Sequence, residues 1–198
     1  MRVADVHVSL STGYARADLV DLALATEELG YGGLWLTELA GRDAFSVLTE
    51  VGLKTKRIQV GTGIVNHFGR SPFTLAQSAA SLSEILGGRS VNLGLGASSR
   101  AVIERLHGLA FDRPFSRMAE TLQLVRLALA GERLDFDGQV FHTRGFSLGV
   151  RPCGPVKLYV GGLAGPMLRV VGGLADGWLP ILPSLRSFSR VRAEVAAA

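Results

Sequence analysis

The 198-residue chain has 47% hydrophobic and 19% charged residues, which excludes a disordered protein and suits one domain with a sizeable core. Its 21 Lys and Arg against 17 Asp and Glu give a net charge of +4, but apart from Lys54–Arg57 the basic residues are scattered. That scatter argues against a nucleic-acid interface and agrees with a small acidic or phosphorylated ligand. A single cysteine, Cys153, excludes an intramolecular disulfide framework and a cysteine zinc cluster, and no apolar run reaches the ~18 residues a membrane span needs. Asp5 interrupts the first apolar run, which is wrong for a signal peptide, so a cytoplasmic protein is expected.

In chain order, Arg2 to Leu10 alternates and predicts a first strand, with Asp5 and His7 on one face. Asp18 to Leu29 predicts a helix with Leu19, Leu22, Ala23 and Leu29 on its apolar stripe, ended by Gly30. Gly33 to Glu38 reads as a second strand that finishes on a carboxylate, and Asp43 to Leu53 as a second helix. Arg57 to Val65 is a third, buried strand. Ser71 as N-cap and Pro72 at the first helical position open a third helix, with Leu75, Ala79, Leu82 and Leu86 facing the core before Gly87-Gly88. Val91 to Gly96 is a fourth strand. A short helix is expected from Ser99 to Leu106, then a longer one through Met118, Leu122, Val125 and Leu129 to Gly131.

The rhythm then breaks. Leu134–Phe136 and Gln139–Phe141, separated by Asp137-Gly138, read as a β-hairpin with a tight turn, inside an insertion of about residues 132–152. Lys157 to Val160 is a fifth core strand, followed by Gly161–Pro166 and a helix to about Val171. Asp176 to Pro180 is a sixth strand and Ser184 to Ala198 a last helix. Alternating strands and helices imply a parallel α/β sheet, either doubly wound or a barrel. Site-like residues at several strand ends favour the barrel, whose strand C-termini converge on one mouth.

The most informative strand end is Gly61-Thr62-Gly63-Ile64-Val65-Asn66-His67. Two glycines in a buried strand mark close backbone approach or an unusual conformation. Polar Asn66, His67 and Arg70 follow at once, just before a helix. Taken alone, the stretch reads equally well as a plain strand-to-helix loop. The histidines show no metal-ligand spacing, so a metal-dependent hydrolase finds little support.

Trp35-Leu36-Thr37-Glu38, Gly61–Asn66, Leu86–Gly96, Tyr159–Gly162 and Ala175–Trp178, in this order and spacing, resemble the luciferase-like monooxygenase superfamily, and within it the deazaflavin-dependent methylenetetrahydromethanopterin reductase branch. The resemblance implies a (β/α)8 TIM-type barrel, here a single partial domain over residues 1–198 with about six β/α units and a hairpin insertion. It implies an oxidoreductase that exchanges a hydride between coenzyme F420 and a small organic substrate, with FMN as the alternative cofactor. It places a cis peptide at Gly63-Ile64, so that Gly63, Ile64 and Val65 shape the ring site. Gly94 and Gly96 would keep the fourth strand's end clear, and Gly161, Gly162, Leu163, Ala164 and Gly165 would take the cofactor phosphate. Glu38, Asn66 and His67 would be the polar groups at the reacting face.

The chain departs from this branch in two ways. Glu38-Leu39 stands where many relatives have Asp-His, and the seventh and eighth strands are missing. The open sheet edges and an uncovered apolar face lead to the expectation that a partner subunit, in the simplest case of a homodimer, or a rearrangement covers them. An oxygen-using FMN monooxygenase and a non-catalytic, flavin-binding or structural remnant of the family are the alternative functions.

Overall fold

Strand pairing is set by where buried β-branched and leucine-rich runs meet. The computed structural model describes residues 2–163, 165–181 and 184–198. Among the described residues there are eight strands: β1 (His7–Ser11), β2 (Gly33–Thr37), β3 (Gln59–Asn66), β4 (Val91–Gly96), β5 (Leu134–Asp137), β6 (His142–Phe146), β7 (Val156–Gly161) and β8 (Gly177–Trp178). Six helices accompany them: α1 (Arg16–Glu28), α2 (Ala44–Lys54), α3 (Pro72–Ile85), α4 (Pro114–Ala130), α5 (Pro166–Leu174) and α6 (Leu185–Ala196). Six strands form one sheet in the order β1-β2-β3-β4-β7-β8, and β5 and β6 form a separate hairpin. This is the parallel α/β architecture that the strand–helix rhythm predicts.

The chain divides into two compact units. The first comprises Met1–Val65, Ser78–Gly94 and Pro152–Lys157. There β1 pairs in parallel with β2 from His7↔Gly33 to Ser11↔Thr37, and β2 with β3 from Gly33↔Gln59 to Leu36↔Thr62. Leu34 and Leu36 of β2, Val60 of β3 and Leu93 of β4 are buried, as are Leu48 and Val51 of α2, and β2 and β4 are buried along nearly their whole length because both faces are covered. Two charged side chains set the start of β3. The Glu27 carboxylate accepts from the backbone N–H groups of Lys56, Arg57 and Ile58. The Arg89 guanidinium donates to the carbonyls of Gly52, Ile58 and Leu86 and to the Thr55 hydroxyl, closing the C-terminal ends of α2 and α3.

The second unit comprises Asn66–Gln77, Leu95–Arg151 and Leu158–Ala198. In it β7 pairs in parallel with β8 through Tyr159↔Gly177 and Val160↔Trp178. Asp176 fixes that pairing by accepting from the Leu158 N–H at 2.7 Å and from Arg126 at 3.0 Å. The Trp178 ring stacks on Phe188 of α6. Among the described residues no helix is long and apolar enough to cross a membrane.

Three local expectations are corrected and one is refined. Val3–Asp5 is a 3-10 turn rather than the start of β1, because the Asp5 carboxylate folds back onto the Arg2 N–H and guanidinium. Asp5 therefore shares no strand face with His7. On α1, Leu22 and Leu29 are exposed, and Thr26 takes the buried place by returning its hydroxyl to the Leu22 carbonyl. The short helix expected from Ser99 to Leu106 is present, with Val102–Leu106 in π-helical geometry. Gln139–Phe141 is a loop rather than a strand, because the Glu120 carboxylate takes all three of its backbone N–H groups, and the second strand of the hairpin starts only at His142.

Candidate functional site

In the first unit, β3 changes character along its length. Thr62 is buried between two glycines, and its hydroxyl both donates to the Gly94 carbonyl at 2.8 Å and accepts from the Gly94 N–H at 2.9 Å. Gly94 is thus engaged through its backbone by a side chain of β3. A Cβ added at Gly61 would stand 2.6 Å from the Asn92 carbonyl oxygen and 2.8 Å from the Trp35 ring, so this glycine serves packing within the sheet and not a ligand. The next two residues differ. Gly63 and Ile64 are half-buried while Thr62 and Val65 on either side are buried, and the Gly63-Ile64 peptide is cis, as the family resemblance implies. Gly63 and Ile64 are thus the part of the C-terminal half of β3 that is open to contact.

Glu38, just past β2, is half-buried, and its carboxylate accepts from the Ala44 N–H at 2.7 Å. Asp43 accepts from the Ser46 N–H, so two carboxylates meet the amino end of α2, where unpaired N–H groups favour negative charge. The Glu38 N–H lies 3.4 Å from the Ile64 carbonyl, which brings Glu38 and Ile64 together. His7 accepts from the Trp35 indole at 3.0 Å, and burial lowers its pKa, so it is a neutral packing partner.

In the second unit, Asn66 and His67 follow directly. The Asn66 amide oxygen accepts from the Gly69 N–H at 2.6 Å, and its amide nitrogen lies 3.2 Å from His107 Nε2. Asn66 thereby shapes the turn that leaves β3. His67 is 1% exposed. Its Nδ1 lies 2.9 Å from the Gly96 carbonyl, which can only accept, so the proton sits on Nδ1. Its Nε2 has no hydrogen-bond partner among the described residues. Burial, with the nearby positive charge of Arg117, pushes the His67 pKa down to about 4 against the smaller opposing pull of the Gly96 and Pro114 carbonyls. His67 is therefore neutral at pH 7 and joins the ends of β3 and β4.

An aromatic column continues from this point. Phe68 lies against the His67 ring and stacks on Phe111 at 5.1 Å. The Arg117 guanidinium sits 5.0 Å from the Phe68 ring centre and 5.3 Å from that of Phe141. Among the remaining predicted residues, Gly161 ends β7 and the Gly162 carbonyl accepts from the Trp178 indole at 2.7 Å. Leu163 is exposed, and Ala164 lies outside the described residues. Gly165 caps α5 with a φ of 62°, a left-handed conformation that suits glycine, and Pro166 follows at the first helical position. A Cβ at Gly162 would meet Met167 at 2.6 Å, whereas one at Gly165 would meet nothing within 4 Å among the described residues.

Sequence reasoning missed Thr62, Arg117, Phe68, Phe111, Phe141 and Glu120. Thr62 carried a local signal as the one hydroxyl between the two glycines. The others act across tens of residues and left no spacing to read. No group of three or more His, Cys, Asp or Glu able to hold a metal ion occurs among the described residues.

The family model for luciferase-like monooxygenases matches residues 3–198. A 5,10-methylenetetrahydromethanopterin reductase from Archaeoglobus fulgidus is 34% identical over 154 residues, covering 77% of this chain and 46% of the relative. A putative coenzyme F420-dependent oxidoreductase from Mycobacterium tuberculosis is 29% identical over 202 residues, covering 92% and 57%. Among solved structures, coenzyme F420-dependent tetrahydromethanopterin reductase from Methanopyrus kandleri superposes with a TM-score of 0.88 at 22% identity, over 96% of this chain and 59% of that one. The chain spans about half the length of the curated relatives it matches.

Proposed function

The chain belongs to the luciferase-like monooxygenase family, and from that membership we propose that it binds coenzyme F420 and takes part in hydride exchange with a small organic substrate. The observation that carries this reading is the half-buried backbone platform at Gly63 and Ile64, held between buried Thr62 and Val65, in a chain whose relatives are named for coenzyme F420. Such a surface fits the face of a flat heterocycle. The deazaflavin supplies the hydride chemistry when bound, and the chain supplies position, electrostatics and exclusion of water.

Gly63, Ile64 and Val65 back the ring in this reading. Gly94, drawn in by Thr62, and Gly96, drawn in by His67, leave the end of β4 without side chains that would obstruct it. Gly161 to Gly165 and the amino end of α5 receive a phosphate, where backbone N–H groups and the helix dipole favour an anion. Glu38 adjoins the platform through its backbone N–H and the Ile64 carbonyl, and its carboxylate is held by the amino end of α2. Asn66 and His67 act by holding the exit of β3.

Fluorescence titration of the purified chain tests the reading. Coenzyme F420 is expected to bind saturably with a dissociation constant below about 100 μM, more tightly than FMN. Saturation by FMN alone would move the assignment to the flavin-dependent members, and saturation by neither would sink the enzyme reading for this chain. We also propose a homo-oligomer, in the simplest case a dimer, because among the described residues the sheet order ends at β1 and at β8, and exposed strand edges favour pairing with another chain. Light scattering at micromolar concentration should give a multiple of the chain mass; a monodisperse monomer would rule this out.

A further inference from the structure

The insertion hairpin is fastened to α4 by one buried carboxylate. Glu120 is 7% exposed. One oxygen accepts from the Gln139 N–H at 2.7 Å, and the other from the Val140 and Phe141 N–H groups at 3.0 and 2.9 Å. Three converging N–H dipoles stabilise a buried carboxylate without a cation. Arg113 adds a bond to the Gln139 carbonyl at 3.0 Å, and Gly138 leaves the space that Glu120 occupies, since a Cβ there would lie 2.4 Å from Glu120 Oε2.

The loop held in this way delivers Phe141 onto Arg117, and Arg117 lies in turn over Phe68. A guanidinium between two aromatic faces is attracted by both, the more so because it is mostly buried. Phe68 touches His67, and His67 is tied to Gly96. All of these residues belong to the second unit. A continuous chain of contacts thus runs from Glu120 through the hairpin loop to the segment that leaves β3.

We propose that Glu120 is a positioning residue for the cofactor site: by holding Gln139–Phe141 it sets, through Phe141, Arg117 and Phe68, the geometry of Asn66 to Gly69. The inference rests on the proposed F420 reading for its functional consequence, while the coupling itself is measurable without any cofactor. The insertion would then be part of the machinery that shapes the β3 end, and not a passive excursion.

Amide hydrogen exchange on the full chain tests the coupling. Glu120→Gln retains shape but offers one acceptor oxygen in place of two, and its amide N–H2 would face donors. Protection of Gln139 to Phe141 is expected to fall at least tenfold, and protection of His67 and Gly69 to fall with it, while β1 and β2 amides stay unchanged. Phe141→Leu, which leaves Glu120 intact, should loosen His67 and Gly69 alone, and Phe141→Trp, with a better face for the cation, should restore them. The dissociation constant for F420 should rise about tenfold in Glu120→Gln and Phe141→Leu and return to within about twofold in Phe141→Trp. Loss of protection at Gln139–Phe141 with His67 and Gly69 unaffected would overturn the proposal, as would unaffected His67 and Gly69 in Phe141→Leu should Glu120→Gln not fold. Wild-type chain that binds no F420 yet shows the exchange coupling would refute the functional reading and leave the coupling standing.

Discussion

Gly61→Ala is expected to destabilise the chain by about 3 kcal/mol, the upper end of what overpacking a buried site costs. The added methyl would stand 2.6 Å from the Asn92 carbonyl oxygen, 2.8 Å from Trp35 Cε3 and 2.9 Å from Asn92 Cβ. None of these is the free end of a flexible side chain. Relief therefore requires β3 to move from its neighbours in the sheet, and its residues are buried on both sides of the contact. Urea unfolding followed by circular dichroism gives the number. Gly149→Ala is the control, because a Cβ there meets nothing within 4 Å, and it should stay within about 0.5 kcal/mol of the parent. Equal stability of the two variants would show that Gly61 is not a packing glycine.

His67 predicts a pH dependence. Its folded-state pKa is pushed down to about 4 by burial, from an ordinary value of 6.5. Above pH 6.5 the ring is neutral in both states and stability is unaffected. Between pH 6.5 and 4 the unfolded chain takes up a proton that the folded chain refuses, so stability falls as the pH falls. The slope approaches 1.4 kcal/mol per pH unit, and the accumulated loss near pH 4 is about 3 kcal/mol. His67→Gln removes the titration and retains a side-chain donor for the Gly96 carbonyl. Denaturation of parent and variant at steps from pH 7.5 to 4.5 should show curves that diverge at higher pH and converge as the pH drops. Parallel curves would mean that His67 is free to protonate in the folded chain.

These two residues show how far a glycine-rich strand end can be interpreted before folding is known. The stretch Gly61 to His67 is correctly placed at the end of a buried strand, and its helix partner begins at Ser71-Pro72 as capping chemistry requires. Yet its two glycines have different roles. Gly61 makes room for Trp35 and Asn92, whereas Gly63 lies on the half-buried platform. Both look alike in sequence because the reason for Gly61 lies on β2 and β4. The polar residues behave similarly. Glu38, Asn66 and His67 all bond to the protein's own framework, at the amino end of α2, in the turn after β3 and at Gly96. Residue type marked them as candidates; only their partners distinguish a group aimed at a ligand from one that holds backbone in place.

The hairpin gives the converse case. Local alternation suggested a strand at Gln139–Phe141, and the strand pattern was outweighed by a carboxylate some twenty residues earlier that takes the very N–H groups a strand would have used. By itself the sequence determined the order of strands and helices, the glycine and proline boundaries and the parallel α/β class, because periodicity, capping and backbone sterics act over a few residues. Only the tertiary structure decided which glycines serve packing, which carboxylates close a helix or a loop, and that His67 is buried and neutral. Those outcomes depend on desolvation and on hydrogen-bond partners brought from distant segments, and neither is written in local spacing.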